Sequence, residues 1–222
     1  MVFCGYNGNA MQSLNFFEFK NGKGSGSFEI LPGEGRVMLS VPHVVEQLRE
    51  GRRKTAETHT GPLAEYVSVK TGCPVIYKRV TDTDDPNDSP ESPYREALIR
   101  FLGSGAVRYL IDLHELDGAR PQDFNLGTGR GANLEGDKSF LEVLTQELSP
   151  IGRVFLDEPF AALGDRRVAT VVAERCGIPA IQFEINSRLL ADSDTFFRIG
   201  DALSSAVKKL SELSSGRAGE GG

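Results

Sequence analysis

Short apolar runs alternate along the chain with segments whose apolar residues recur at helical spacing. Runs rich in Val, Ile, Leu and Phe predict strands at residues 28–31, 36–41, 75–77, 107–113, 153–156 and 180–185. Helical periodicity predicts helices at residues 56–71, 93–102, 139–148, 168–176 and 194–213. Strands and helices in this alternation favour a single α/β domain with a mostly parallel or mixed central sheet and helices on both faces.

The length of 222 residues suits one sizeable domain. Residues 28–213 carry the predicted elements and form the expected domain. Residues 1–27 are rich in Gly, Asn and Ser, include a candidate edge strand at 16–19, and are assigned to the same domain. Residues 214–222 are expected to be a disordered tail.

The composition and charge of the chain limit the kinds of partner that are expected. A net charge of -6 and a pI near 5.2 disfavour a nucleic-acid partner, which requires a basic surface. No apolar stretch approaches the roughly 20 residues that cross a bilayer, so no membrane partner is expected. The N-terminus lacks the pattern of a secretory signal, and the scattered Cys4, Cys73 and Cys176 suggest reduced thiols, which together predict a cytoplasmic protein.

Candidate metal ligands follow two of the predicted strands. His43 comes directly after the strand at 36–41, Glu46 lies one helical turn later, and His114 ends the strand at 107–113. Ligands of open α/β sheets bind beyond the carboxyl ends of the strands, so these side chains are expected to meet. Two imidazoles and one carboxylate leave a fourth position open on zinc, which is typical of a catalytic site with one ion.

Glu184, in the last predicted strand, is the candidate general base. A carboxylate inside a buried strand is costly unless it is paired or lies at the end of the sheet. The alternative is a structural carboxylate paired with Arg188. Glu115 is a rival base, although its place next to His114 directs it to the opposite face of an extended strand. Asp112, two residues before His114, is a candidate hydrogen-bond acceptor behind the metal site.

The glycine-rich run at 127–131 lacks the lysine of a phosphate-binding P-loop, so nucleotide binding is disfavoured. Arg130 in this run offers a two-pronged donor for a substrate carboxylate, and the alternative is a plain loop. His59 is either a surface residue or a proton shuttle.

Four motifs, in this order along the chain, carry a family resemblance: LSVPH ending at His43, IDLH ending at His114, LGTG at 126–129 and FEINSRLL at 183–190. Together they resemble the N-formylglutamate amidohydrolase family, which is similar in fold and zinc chemistry to the carboxypeptidase A type of hydrolase. The resemblance implies a zinc carboxypeptidase-like fold, zinc held by the three predicted ligands, and Glu184 as the base. It also implies that Asn186 and Arg188 lie around the base and the substrate.

One position departs from that family. Members often carry Asn-Arg before the middle helix, where this chain has Asn87-Asp88, so Arg95 or Arg130 is expected to anchor the substrate carboxylate. The implied activity is hydrolysis of an amide bond in a small acidic N-acyl amino acid such as N-formylglutamate, or in a short peptide, by metal-activated water. Two alternatives remain: a zinc peptidase of carboxypeptidase or γ-glutamyl hydrolase type, and a metal-stabilised binding protein without catalysis.

Overall fold

A mixed sheet of seven strands forms the centre of the protein, for which the computed structural model describes residues 26–49 and 51–217. The strands are β1 (Phe28–Leu31), β2 (Val37–Val41), β3 (Gln47–Arg49), β4 (Arg52–Lys54), β5 (Val75–Lys78), β6 (Tyr109–Leu116), β7 (Phe124–Gly127), β8 (Val154–Leu156) and β9 (Ala180–Asn186). The sheet order is β1-β5-β2-β6-β9-β7-β8, and β3 and β4 form a separate hairpin. Strands β5, β2, β6 and β9 run parallel, whereas β1 and β7 are antiparallel to their neighbours β5 and β9.

In the described part of the chain, six α-helices pack on the two faces of the sheet. They are α1 (Thr60–Thr71), α2 (Pro93–Leu102), α3 (Lys138–Leu148), α4 (Val168–Cys176), α5 (Ser187–Ala191) and α6 (Ser193–Arg217). Helices α1, α3 and α6 contribute to the larger apolar core on one face, and α2 and α4 pack against the other face. Local signals set the helix ends: Ser92 accepts a hydrogen bond from the Arg95 amide at the start of α2, and Gly72 adopts a left-handed conformation at the end of α1.

The alternation of side chains along the central strands sorts apolar from polar residues. In β6, Ile111 and Leu113 enter the larger core, whereas Asp112 and His114 point to the opposite face. Strand β9 repeats the pattern, because Phe183 enters the same core and Glu184 lies two residues from Gln182 on the other face. Polar side chains therefore gather on the face of α2 and α4, towards the carboxyl ends of β6 and β9.

The structure confirms the predicted fold class and, within a few residues, the predicted strands and helices of the described part of the chain. Strands β3, β4 and β7 and the short helix α5 were not predicted. Helix α6 extends to Arg217, beyond the predicted end at 213. The candidate strand at 16–19 and residues 218–222 lie outside the described residues. Within the described ranges, no helix is both long enough and apolar enough to span a bilayer.

Candidate metal centre and active-site cavity

Two histidines from neighbouring strands face one carboxylate. His43 lies two residues beyond the end of β2, and His114 lies in β6. The His43 Nδ1 atom is 3.0 Å from Glu57 Oε1, and the His114 Nδ1 atom is 3.0 Å from Glu57 Oε2. One ligand atom from each of these three buried residues lies within 4.8 Å of the other two. The sheet therefore brings together a group that can hold a metal ion.

Glu57 reaches the site from the extended segment before α1. Its backbone N–H donates to the carbonyl of His43 at 2.8 Å, which ties the two segments together. Its carboxylate also accepts the backbone N–H of Glu115 at 3.2 Å. Only 9% of the Glu57 side chain is exposed, so the carboxylate is shielded from water on most sides.

The structure places Glu57 beside the two histidines, in the position predicted for Glu46. The Glu46 side chain is 43% exposed and pairs with Arg53 at 2.6 Å, away from the histidines. The prediction assumed a helical turn after His43, which would have placed residues 43 and 46 on one face. The chain instead turns into the β3–β4 hairpin, and this hairpin returns residue 57 to the histidines.

The other ring nitrogen of each histidine contacts a second carboxylate. His43 Nε2 is 2.9 Å from Asp85 Oδ1, and His114 Nε2 is 3.0 Å from Asp112 Oδ2. The predicted contact between Asp112 and His114 is confirmed. These contacts hold both rings with their Nδ1 atoms towards Glu57. Metal-binding histidines are oriented in the same way.

A lysine ammonium already contacts part of this donor set. Lys54 Nζ is 2.9 Å from His43 Nδ1 and 2.8 Å from Glu57 Oε1. A positive charge is therefore accommodated where two of the donor atoms meet. Imidazole nitrogen and carboxylate oxygen are both ligands of zinc, so the residues present fit that ion.

The charges of the cluster reinforce one another. Burial would raise the pKa of Glu57, but the facing His43 and His114 outweigh it and hold that pKa well below its usual range. Burial would lower the pKa of His114, but Glu57 and Asp112 outweigh it and hold that pKa well above its usual range. The carboxylates thus favour a positive charge at the centre of the cluster.

Glu184 lies beside the cluster. It is the register partner of His114 in the parallel pair β6–β9, so the two side chains point to the same face. Gln182 Nε2 donates to Glu184 Oε1 at 2.7 Å. Burial raises the pKa of Glu184, Glu57 acts in the same direction, and His114 opposes them. The carboxylate of Glu184 is thereby a stronger base than an exposed glutamate.

The cluster and Glu184 line one cavity of about 600 Å³. Loop residues 159–163 form its apolar side, where Phe160 and Leu163 are 38% and 49% exposed. Its polar side includes Arg120 and Arg130. A cavity of this size is in the range that holds small-molecule ligands.

Of the four predicted substrate-binding residues, the structure places only Arg130 along this cavity. The buried Arg95 donates to backbone carbonyls of the loop before α2, such as that of Pro86. Asn186 is fully buried and donates to the carbonyls of residues 117, 120 and 122. Arg188 binds Asp123 and the carbonyl of residue 120. These three residues hold loops in place because their donors are already engaged.

Of the remaining candidates, Glu115 lines the cavity and His59 contacts Glu115. Glu115, the rival base, accepts hydrogen bonds from the backbone and the ring of His59, at 2.6 and 3.2 Å. The hydrogen bond with Glu115 raises the pKa of His59. His59 is half-buried and pairs with Glu115, so it is not a free surface residue. Arg120 was not predicted, since it lies in an irregular loop without a motif.

No protein-family model and no curated relative matches the sequence. Solved structures share its fold. Gene product Atu2144 from Agrobacterium tumefaciens has a TM-score of 0.61 and 13% identity, over 86% of this chain and 97% of that chain. A bacteriophage poly-gamma-glutamate hydrolase has a TM-score of 0.57 and 12% identity, over 86% and 93%. A protein from Burkholderia mallei ATCC 23344, described as a candidate carboxypeptidase, has a TM-score of 0.53 and 12% identity, over 84% and 60%.

Proposed function

We propose that this protein is a zinc-dependent amidohydrolase that cleaves the amide bond of an N-acyl amino acid with a carboxylate, such as N-formylglutamate. The observation that carries the proposal is the position of Glu184. This carboxyl group lies beside two imidazoles and a carboxylate in one cavity, and its pKa is raised by burial. A metal-binding protein without catalytic function would have no need of such a group.

His43, Glu57 and His114 would hold one zinc ion, with Asp85 and Asp112 orienting the two rings. Zinc bound there would lower the pKa of a water molecule and would polarise a substrate carbonyl.

Glu184 would act as the general base and then as the general acid. Its Oε1 atom accepts from Gln182, whereas no hydrogen bond engages Oε2 within the described residues. Oε2 would take the proton of the attacking water and pass it to the leaving amine. The raised pKa makes the carboxylate a stronger base towards the water proton.

Arg130 would bind the substrate carboxylate. It lies along the cavity, and a guanidinium group matches the two oxygens of a carboxylate. The fully engaged Arg95 is not available for this contact.

The proposal is tested with purified protein, metal analysis and an assay of amide hydrolysis. We expect one zinc ion per chain and release of glutamate from N-formylglutamate or a related N-acylglutamate. Glu184→Gln should keep the zinc and lower kcat by about 10²- to 10⁴-fold. Glu174→Gln, on the exposed side of α4, is the matched control and should behave as wild type. A Glu184→Gln variant with wild-type rates on every substrate that the protein cleaves would overturn the catalytic role.

A peptidase that uses the same residues is the second candidate. It is favoured by the fold shared with a bacteriophage poly-gamma-glutamate hydrolase and with a candidate carboxypeptidase. N-acylglutamates assayed beside α-linked and γ-linked glutamyl peptides separate the two functions. Faster cleavage of the peptides would favour the peptidase, and faster cleavage of the N-acyl compounds would favour the amidohydrolase.

A further inference from the structure

We propose that the substrate carries a negative charge on each side of the bond that is cleaved, with one charge bound by Arg120 and the other by Arg130. The inference rests on the proposed function and adds the chemical class of its substrate: an amide with an acidic acyl group and an acidic amine group.

Three of the positive side chains along the cavity are already engaged. Arg49 donates through Nε and Nη2 to Asp85, at 2.9 and 2.7 Å. Lys54 contacts Glu57 at 2.8 Å. Arg167 donates to the backbone carbonyl of residue 87. Their charges or donors serve the protein itself.

Arg120 presents its guanidinium group to the cavity without an acidic partner. The group lies over the ring of Phe160, with its Cζ atom 5.1 Å from the ring centroid. The loop beneath it is well fixed, because Asn186 and Arg188 both donate to the carbonyl of Arg120, at 3.0 and 2.9 Å. Across the described ranges, no carboxylate lies within 4.0 Å of this guanidinium group. It is a positioned positive charge that a ligand can neutralise.

Arg130 is the second such charge. Its backbone adopts a left-handed conformation with φ 55, between two glycines. The loop is held from both sides: Asp157 accepts from the N–H and the hydroxyl of Thr128, at 2.7 and 2.8 Å, and the Gly129 N–H donates to the carbonyl of Ala161 at 2.6 Å. The Arg130 side chain is exposed and makes no ion pair with any described residue.

Acids along the cavity do not compensate these two charges. The Asp157 carboxylate accepts from Thr128, and Glu115 accepts from His59. Asp117 accepts the N–H of residue 119. Among the described residues, the guanidinium groups of Arg120 and Arg130 make neither an ion pair nor a hydrogen bond, so each is available to bind a carboxylate of a ligand.

Strand β7 separates the two arginines along the sheet. Arg120 lies four residues before its first residue, Phe124, and Arg130 lies three residues after its last, Gly127. Between these ends, Asn125 is the register partner of Glu184. Glu184 thus lies beside β7, between the two chain segments that carry the arginines, and the proposal places the cleaved bond there.

Three amides test the proposal. N-succinylglutamate is acidic on both sides, N-acetylglutamate only on the amine side, and N-propylsuccinamate only on the acyl side. With zinc-loaded protein, we expect kcat/KM for the first to exceed that for each of the others by about tenfold to a hundredfold, the usual range for a charge-assisted hydrogen bond. Arg120→Gln should remove the advantage given by one carboxylate and Arg130→Gln the advantage given by the other.

Arg120→Lys should keep part of the advantage, since the charge is retained without the planar fork. Arg100→Gln, on the exposed end of α2, is the control and should change nothing. Equal kcat/KM for the three amides would overturn this inference and leave the proposed function standing. The inference would also fail if both arginine variants affected the same carboxylate.

Hydrolysis of none of the amides would instead count against the proposed function. Calorimetric titration of N-succinylglutamate and N-acetylglutamate into zinc-loaded protein then decides the inference alone. Tighter binding of N-succinylglutamate, lost in Arg120→Gln or Arg130→Gln, would support it, and equal affinities would overturn it.

Discussion

Replacing Asp85 with asparagine should weaken zinc binding without touching a ligand. The Asp85 carboxylate is 1% exposed and accepts four hydrogen bonds: from His43 Nε2 at 2.9 Å, from the Asn87 N–H at 3.0 Å, and from Arg49 Nε and Nη2 at 2.9 and 2.7 Å. An asparagine has one acceptor oxygen, so its NH₂ group must face donors on one side. The His43 ring then loses orientation, or the arginine loses its partner.

We expect the zinc Kd of Asp85→Asn to rise about 10- to 100-fold, the usual effect of removing a group that orients a metal ligand. This corresponds to about 1.4 to 2.8 kcal/mol. The metal-free protein should lose about 1 to 3 kcal/mol of unfolding free energy, because a buried donor is left without an acceptor. Competition with a chromophoric chelator measures the first value, and urea denaturation in EDTA measures the second.

Asp88→Asn is the matched control. Asp88 lies 3.4 Å from the same arginine, Arg49, but is 33% exposed and does not contact His43. Its zinc affinity should equal that of wild type. Wild-type zinc affinity in Asp85→Asn, or an equal loss in both variants, would refute the reasoning.

Two further predictions concern the loop beneath Arg120 and the thiols. Asn186→Ala removes the donor to three carbonyls of that loop, so the loop should hold Arg120 less firmly and KM should rise about tenfold with kcat near wild type. The unfolding free energy should fall by about 1 to 3 kcal/mol. A fall in kcat at unchanged KM would contradict this. Burial raises the pKa of Cys73 to about 11, so its thiol should react slowly in the folded protein. Iodoacetamide at pH 8 should label Cys176 in the folded protein and Cys73 only after unfolding. Peptide mass mapping that finds Cys73 labelled first would contradict this.

The sequence predicted the parts of the site that depend on strand ends. His43, His114 and Glu184 follow or lie in apolar runs long enough to be recognised as strands, and the carboxyl ends of parallel strands meet at one edge. The contact of Asp112 with His114 follows from the two-residue repeat of a strand.

Glu57 and Arg120 were missed for a different reason. Each lies in irregular chain whose path is set by contacts with distant residues, such as the Glu57 N–H with the carbonyl of His43 and Asn186 with the carbonyl of Arg120. Such contacts leave no period in the sequence. The sequence feature that came closest to revealing Glu57 was its place just before α1. That feature indicates where a helix begins and does not indicate a metal ligand.

The most direct measurement of the central claim is the zinc content of three purified proteins after dialysis: wild type, Glu57→Gln and Glu46→Gln. Both variants remove one carboxylate charge, and the two glutamates flank the same hairpin. Wild type and Glu46→Gln should each retain one zinc per chain, whereas Glu57→Gln should retain little. Full zinc content in Glu57→Gln, or its loss in Glu46→Gln, would contradict the metal centre described above.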